Sequence, residues 1–134
     1  MRKVLTGIVF ITVLAGFFPI GGCKKQSIDE KITGKWTFLG IDYLTNVYDR
    51  DSTFHQGFDG GSYLQLNADR TFSAVIDLSH TGTWQTGGKQ LTLMYSDSTA
   101  TVFDVQKVNS RDLVLFTKSV NDSGFSQSTW YLRK

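Results

Sequence analysis

Apolar and polar residues alternate with a period of two through most of the chain, most clearly at Leu64-Gln-Leu66 and again from Phe72 onward, where Phe72, Ala74, Ile76 and Leu78 alternate with Ser73, Val75 and Asp77. A period of two puts each apolar set on one face of a strand. Asn67-Ala68-Asp69-Arg70 reverses the chain between the two runs, since Asn and Asp bond their own backbone in turns. The same unit recurs. Gly34 to Leu44 is aromatic and β-branched, with Trp36 and Phe38 on one face. Ser79 to Gln85 carries Gly82 and Trp84 on one face, and Gly87-Gly88 then turns the chain into Gln90–Tyr95. Thr99 to Val105, Asp112 to Thr117 and Ser126 to Leu132 follow, separated by Ser96-Asp97-Ser98, Asn109-Ser110-Arg111 and Asn121-Asp122-Ser123-Gly124. About eight short strands joined by tight turns predict an all-β fold, an antiparallel up-and-down barrel whose closure removes exposed edges.

Two stretches break the pattern. Ser27-Ile28-Asp29-Glu30-Lys31-Ile32 reads as one helical turn, with Ser27 as N-cap and Glu30 three residues on. Thr45 to Gly61 reads as a long irregular loop and a candidate lid, with Tyr48, Phe54 and Phe58 as its apolar contacts.

The first residues belong to neither pattern. Arg2 and Lys3 precede an apolar run from Val4 to Phe18, and small residues then lead to Cys23, the chain's one cysteine. A positive start, a short apolar stretch and small residues make an export signal. Ile20-Gly21-Gly22-Cys23 resembles a bacterial lipobox. That resemblance implies cleavage before Cys23 and acylation of its thiol, hence residues 1–22 as signal peptide, 23–31 as lipidated Cys and tether, and 32–134 as the barrel domain. Its expected address is the bacterial cell envelope, on the outer membrane facing the periplasm, with surface display as the alternative. Removing Arg2 and Lys3 brings the 14 basic side chains level with the 12 acidic ones, so the folded part has no basic excess to suggest nucleic acid.

Gly34-Lys35-Trp36, the hairpin from Leu64 to Phe72, Gly82-Thr83-Trp84 with Leu91-Thr92-Leu93, and Asp112-Leu113-Val114-Leu115 occur in order behind the lipobox. This set resembles the lipocalin-like domains of small Bacteroidetes-type lipoproteins. The resemblance implies an eight-stranded barrel with a plugged base, Trp36 packed at that base, and Arg133 as the cation above it. Arg70 stands where the family turn has Gly, which implies a positive φ at a side-chain-bearing residue.

Candidate chemistry is sparse. Trp36, Phe38, Phe72, Trp84, Phe103 and Trp130 are the candidate barrel interior; they either line a pocket for a small hydrophobic molecule or fill a core. His55 and His80 lack metal-ligand spacing, and the aspartates of the long loop do not match a calcium loop. No nucleophile elbow, phosphate loop or cofactor motif occurs. The expectation is a non-catalytic binding module without cofactor or metal, lipid-anchored through Cys23. Its partner is a small hydrophobic ligand or, for a packed barrel, an envelope protein. A hydrolase using His55 is the remaining alternative.

Overall fold

Residues 25–134, the part of the chain that the computed structural model describes, form one short helix and nine antiparallel strands. The order is α1 (Ile28–Ile32), β1 (Gly34–Val47), β2 (Arg50–Gly57), β3 (Tyr63–Leu66), β4 (Thr71–Val75), β5 (Ser79–Gly87), β6 (Gln90–Tyr95), β7 (Ala100–Val108), β8 (Asp112–Asn121) and β9 (Gly124–Arg133). Each strand from β3 to β8 pairs with the next, and β1 pairs with both β3 and β9. Eight strands therefore close a barrel, and β2 is an extra one. The signal segment and Cys23 lie outside the described residues.

β2 corrects the expected loop. The stretch 45–61 is largely a hairpin: β2 runs back along the outer half of β1, from Val47↔Arg50 to Gly40↔Gly57. β3 takes over the same flank of β1 lower down, from Thr37↔Tyr63 to Gly34↔Leu66. Residues 58–62 step between the two. β4 and β5 stop at Val75 and Ser79, whereas β1, β2, β8 and β9 continue past that level. The open end is thus one tall four-stranded wall, β2-β1-β9-β8, standing above a shorter rim. The rim also shortens the predicted second strand. After Val75 the chain turns, the Ile76 amide donates to the Leu78 carbonyl, and Leu78 is left 72% exposed.

The opposite end is closed. Ser27 caps α1: its hydroxyl accepts from the Glu30 amide, and the Glu30 carboxylate accepts from the Ser27 amide. Ile32 is fully buried and Ile28 packs on the same cluster, so the docked unit begins within the stretch assigned to the tether. The Trp36 indole donates to the Ile32 carbonyl at 2.7 Å. The cation over Trp36 is Lys134, 4.5 Å from the ring, and not Arg133; Arg133 points outward to Asp112. A period of two explains the swap, because Leu132 is buried and its neighbour Arg133 must face the other way.

Arg70 does hold a positive φ, +71°. Its guanidinium lies 4.5 Å over Trp84 and donates to Asp29 at 2.6 Å, fastening α1 to the barrel. The hydrogen bond from Arg70, then that from the Thr86 hydroxyl, hold the Asp29 carboxyl below its usual range. A depressed carboxyl stabilises the fold fully above its unfolded value, about 3.9, and loses that contribution as pH falls through the folded value. Asp29→Asn is therefore expected to cost about 1 kcal/mol near neutral pH, a figure discounted for the solvent exposure of the pair. The gap should narrow below about pH 4, as compared by urea midpoints across the acid range.

Candidate functional site

The six aromatic residues assigned to the barrel interior do converge there. Trp36, Phe38, Phe72, Trp84 and Phe103 are each no more than 2% exposed, and Trp130 is half-buried at the top of the cluster. Trp130 sits edge-on to Phe38 at 5.3 Å and tilted on Phe103 at 4.5 Å. Leu64, Leu66, Leu91, Leu93, Leu113 and Leu115 fill the space around them. The polar atoms of the buried rings are satisfied at the base, where the Trp84 indole donates to the Asn67 carbonyl at 2.9 Å. No buried side-chain polar atom among the described residues lacks a partner. Such a set of rings and leucines packs as one buried apolar cluster.

The three lid candidates separate. Phe58 is partly buried against Phe38, with ring centroids 5.4 Å apart, and belongs to the core's upper layer. Phe54 lies on β2, 62% exposed, stacked on Tyr43 at 6.1 Å. Tyr48 sits in the β1–β2 turn, 78% exposed, with φ +50°. The register of β1, β2, β8 and β9 puts Thr45, Ser52, Thr117, Ser119, Ser126 and Ser128 on the same inner face as Tyr43 and Phe54. The tall wall is therefore hydroxyl-rich above an aromatic floor. Where wall meets rim, a shallow hollow of about 220 Å³ is lined by Ile76, His80, Tyr95, Asp97, Thr99 and Trp130. His80 is edge-on to Tyr95 at 5.7 Å.

A second feature lies on the outer face of the wall. His55 and Asp42 are opposite each other in the β1–β2 register, and the His55 Nδ1 is 2.5 Å from the Asp42 carboxylate. Gly40 makes room for this pair, since a Cβ there would come 2.8 Å from the His55 ring. The His55 hydrogen bond holds the Asp42 carboxyl below its usual range, with a further contribution from Tyr131. Burial, then the bond to Asp42, raise the Tyr131 hydroxyl. A groove of about 330 Å³ beside the pair is lined by Leu44, Thr53, Gln127 and Thr129. Both partners are at least half exposed, and among the described residues no third metal-ligating side chain joins them. The carboxylate orients the imidazole. The sequence hides this pair, because it exists only once β2 is aligned on β1.

The fold is similar to that in the crystal structure of a lipocalin-like protein from Bacteroides uniformis, with a TM-score of 0.53 over 78% of this chain and 98% of that one. The two sequences are 14% identical, so the likeness is one of fold. No family model matches the chain, and no curated protein does.

Proposed function

We propose that this lipocalin-like barrel is a non-catalytic interaction module, carried to the bacterial envelope by its leader and held there by acyl chains on Cys23. The observation that carries the module reading is the filled interior. Trp36, Phe38, Phe72, Trp84 and Phe103 occupy the space a deep calyx would need. The most exposed large apolar side chains, Tyr48, Phe54, Leu78 and Val120, lie with Val47 towards the other end, whereas Leu39, Met94, Val102 and Tyr131 are exposed on the outer face of the barrel. Val47, Tyr48, Phe54 and Leu78, 47–78% exposed, ring the open end around the hydroxyl-rich wall. Exposed apolar groups concentrated at one end of a small domain mark a contact surface. The anchoring half of the proposal rests on the Ile20-Gly21-Gly22-Cys23 sequence.

A photo-crosslinking amino acid at Phe54 or Leu78, introduced into the full chain in cells, should give discrete protein adducts. The same probe at Met94, 41% exposed on the outer face of β6, should give none. Equal labelling at all three positions would sink the module reading. Incorporation of labelled palmitate that is abolished by Cys23→Ser tests the anchor separately.

One observation favours a second reading. Trp130, Ile76 and Tyr95 leave a hollow large enough for a small flat apolar group at the mouth. A ligand there would rest on the core and not enter it.

A further inference from the structure

Charge is sorted along the barrel axis. The turns at 67–70, 88–89 and 109–111, together with α1 and the C-terminus, form the closed base. The turns at 48–49, 76–78, 96–99 and 122–123 form the open end. Nine of the eleven Lys and Arg side chains in residues 25–134 lie on the base half. Lys25 precedes α1, Lys31 lies in its last turn, Lys35 opens β1, and Arg70, Lys89 and Arg111 ride on the three base turns. Lys107, Arg133 and Lys134 end β7 and the chain. Five carboxylates share that half: Asp29, Glu30, Asp69, Asp104 and Asp112. The open half carries only Arg50 and Lys118, against Asp42, Asp49, Asp51, Asp77, Asp97 and Asp122, with Asp59 at the waist. A chain close to neutral overall is thus positive at one pole and negative at the other.

We infer that the basic base docks on an anionic phospholipid surface, with the acidic open end facing away. For orientation the inference rests on acylation at Cys23, but the charge surface exists with or without the acyl chains. Cys23 precedes Ser27 by four residues, and Ser27 caps the helix that closes the base. Even fully extended, four residues span only about 14 Å. An acylated Cys23 therefore holds the base pole within one to two Debye lengths of the headgroups at physiological salt. Each Lys or Arg near an anionic leaflet is attracted and each carboxylate repelled, so the surface potential turns the barrel base-down. This geometry leaves Tyr48, Phe54 and Leu78 directed away from the bilayer, where a partner reaches them. It also suits Lys89 and Arg111, whose exposed side chains stand on base turns and make no side-chain hydrogen bond or ion pair within the barrel.

The test uses residues 25–134, which carry the buried apolar core described above and hold no cysteine. Co-sedimentation is measured with vesicles of phosphatidylcholine containing one third phosphatidylglycerol, and with phosphatidylcholine alone. The domain is expected to bind the anionic vesicles at about 0.05 M salt and to release at about 0.5 M. Reversing two base charges, Lys89→Glu with Arg111→Glu, should weaken binding by about tenfold or more. Reversing the open-end pair, Arg50→Glu with Lys118→Glu, should leave it unchanged. Near-UV circular dichroism confirms that each variant is folded; Lys89→Gln alone, with a smaller loss, substitutes for a misfolded double variant. Equal binding to both vesicle types, no binding at low salt, or equal losses from the base and open-end variants would overturn the inference. These outcomes are independent of palmitate labelling at Cys23, so a failed docking surface and a failed anchor are told apart.

Discussion

Trp36→Ala is expected to lower the melting temperature of the domain by about 15–30 °C, the largest loss from any single side chain. Trp36 is fully buried, and truncating a buried Trp to Ala costs about 3–5 kcal/mol in transfer and cavity terms. In a domain of this size each kcal/mol moves the melting point by roughly 4–8 °C. Two further losses act in the same direction. The Ile32 carbonyl loses its indole donor, and Lys134 loses the ring beneath it. The damage is therefore expected to spread to α1, whose last carbonyl that bond fastens to the core. Trp36→Phe keeps most of the packing and removes the donor alone, so it should fall between parent and Trp36→Ala. Thermal melts followed by circular dichroism compare all three. A melting point unchanged in Trp36→Ala would mean that the base is not closed by this ring.

Gly82→Ala should be nearly as severe, by the opposite mechanism. Gly82 lies on β5 opposite Phe72 on one side and Tyr95 on the other. A Cβ there would fall far inside van der Waals contact of the Met94 carbonyl oxygen and 2.8 Å from the Phe72 ring. The oxygen belongs to the β5–β6 ladder and cannot move without breaking it. Overpacking of this kind typically costs 1–3 kcal/mol, and a backbone obstacle points to the upper end, about 3 kcal/mol. The expected drop in melting point is about 10–20 °C. Gly87→Ala, where nothing lies within 4 Å of the added carbon, is the matched control and should change the melting point little.

The parts of the fold that were legible in the sequence are those in which one face of a strand is buried. β3, β4, β6 and β7 announce themselves through Leu64/Leu66, Phe72/Ala74, Leu91/Leu93 and Phe103/Val105, all of which are in the core. β2 was not legible for two reasons. Its residues from Arg50 to Gly57 are exposed on both faces, with only Gln56 partly covered, so no alternation marks it. Its turn uses Tyr48 and Asp49 at φ +50° and +60°, where the recognisable signature would be Asn-Gly. Losing β2 hid everything that depends on its register, including the Asp42–His55 pair and the tall wall at the open end. A bulge at Leu39 added to this by shifting the phase of β1, so that Ile41 and Tyr43 face inward after Trp36 and Phe38. The Arg70–Asp29 clasp joins residues 41 apart and is invisible without the closed barrel. The charge polarity was concealed differently. Strands alternate direction, so basic and acidic residues that share a pole are scattered along the chain and cancel in its sum.

Whether the interior is a core or a calyx is tested most directly by native mass spectrometry of residues 25–134, paired with tryptophan emission during titration with fatty acids and hydrophobic dyes. A filled barrel predicts a single apo mass after gentle purification. It also predicts that the emission of the buried Trp36 and Trp84 stays unchanged throughout, any quenching being confined to the half-buried Trp130 at the mouth and absent from Trp130→Phe. A co-purifying small molecule that is released only on unfolding, or quenching that persists in Trp130→Phe, would contradict it.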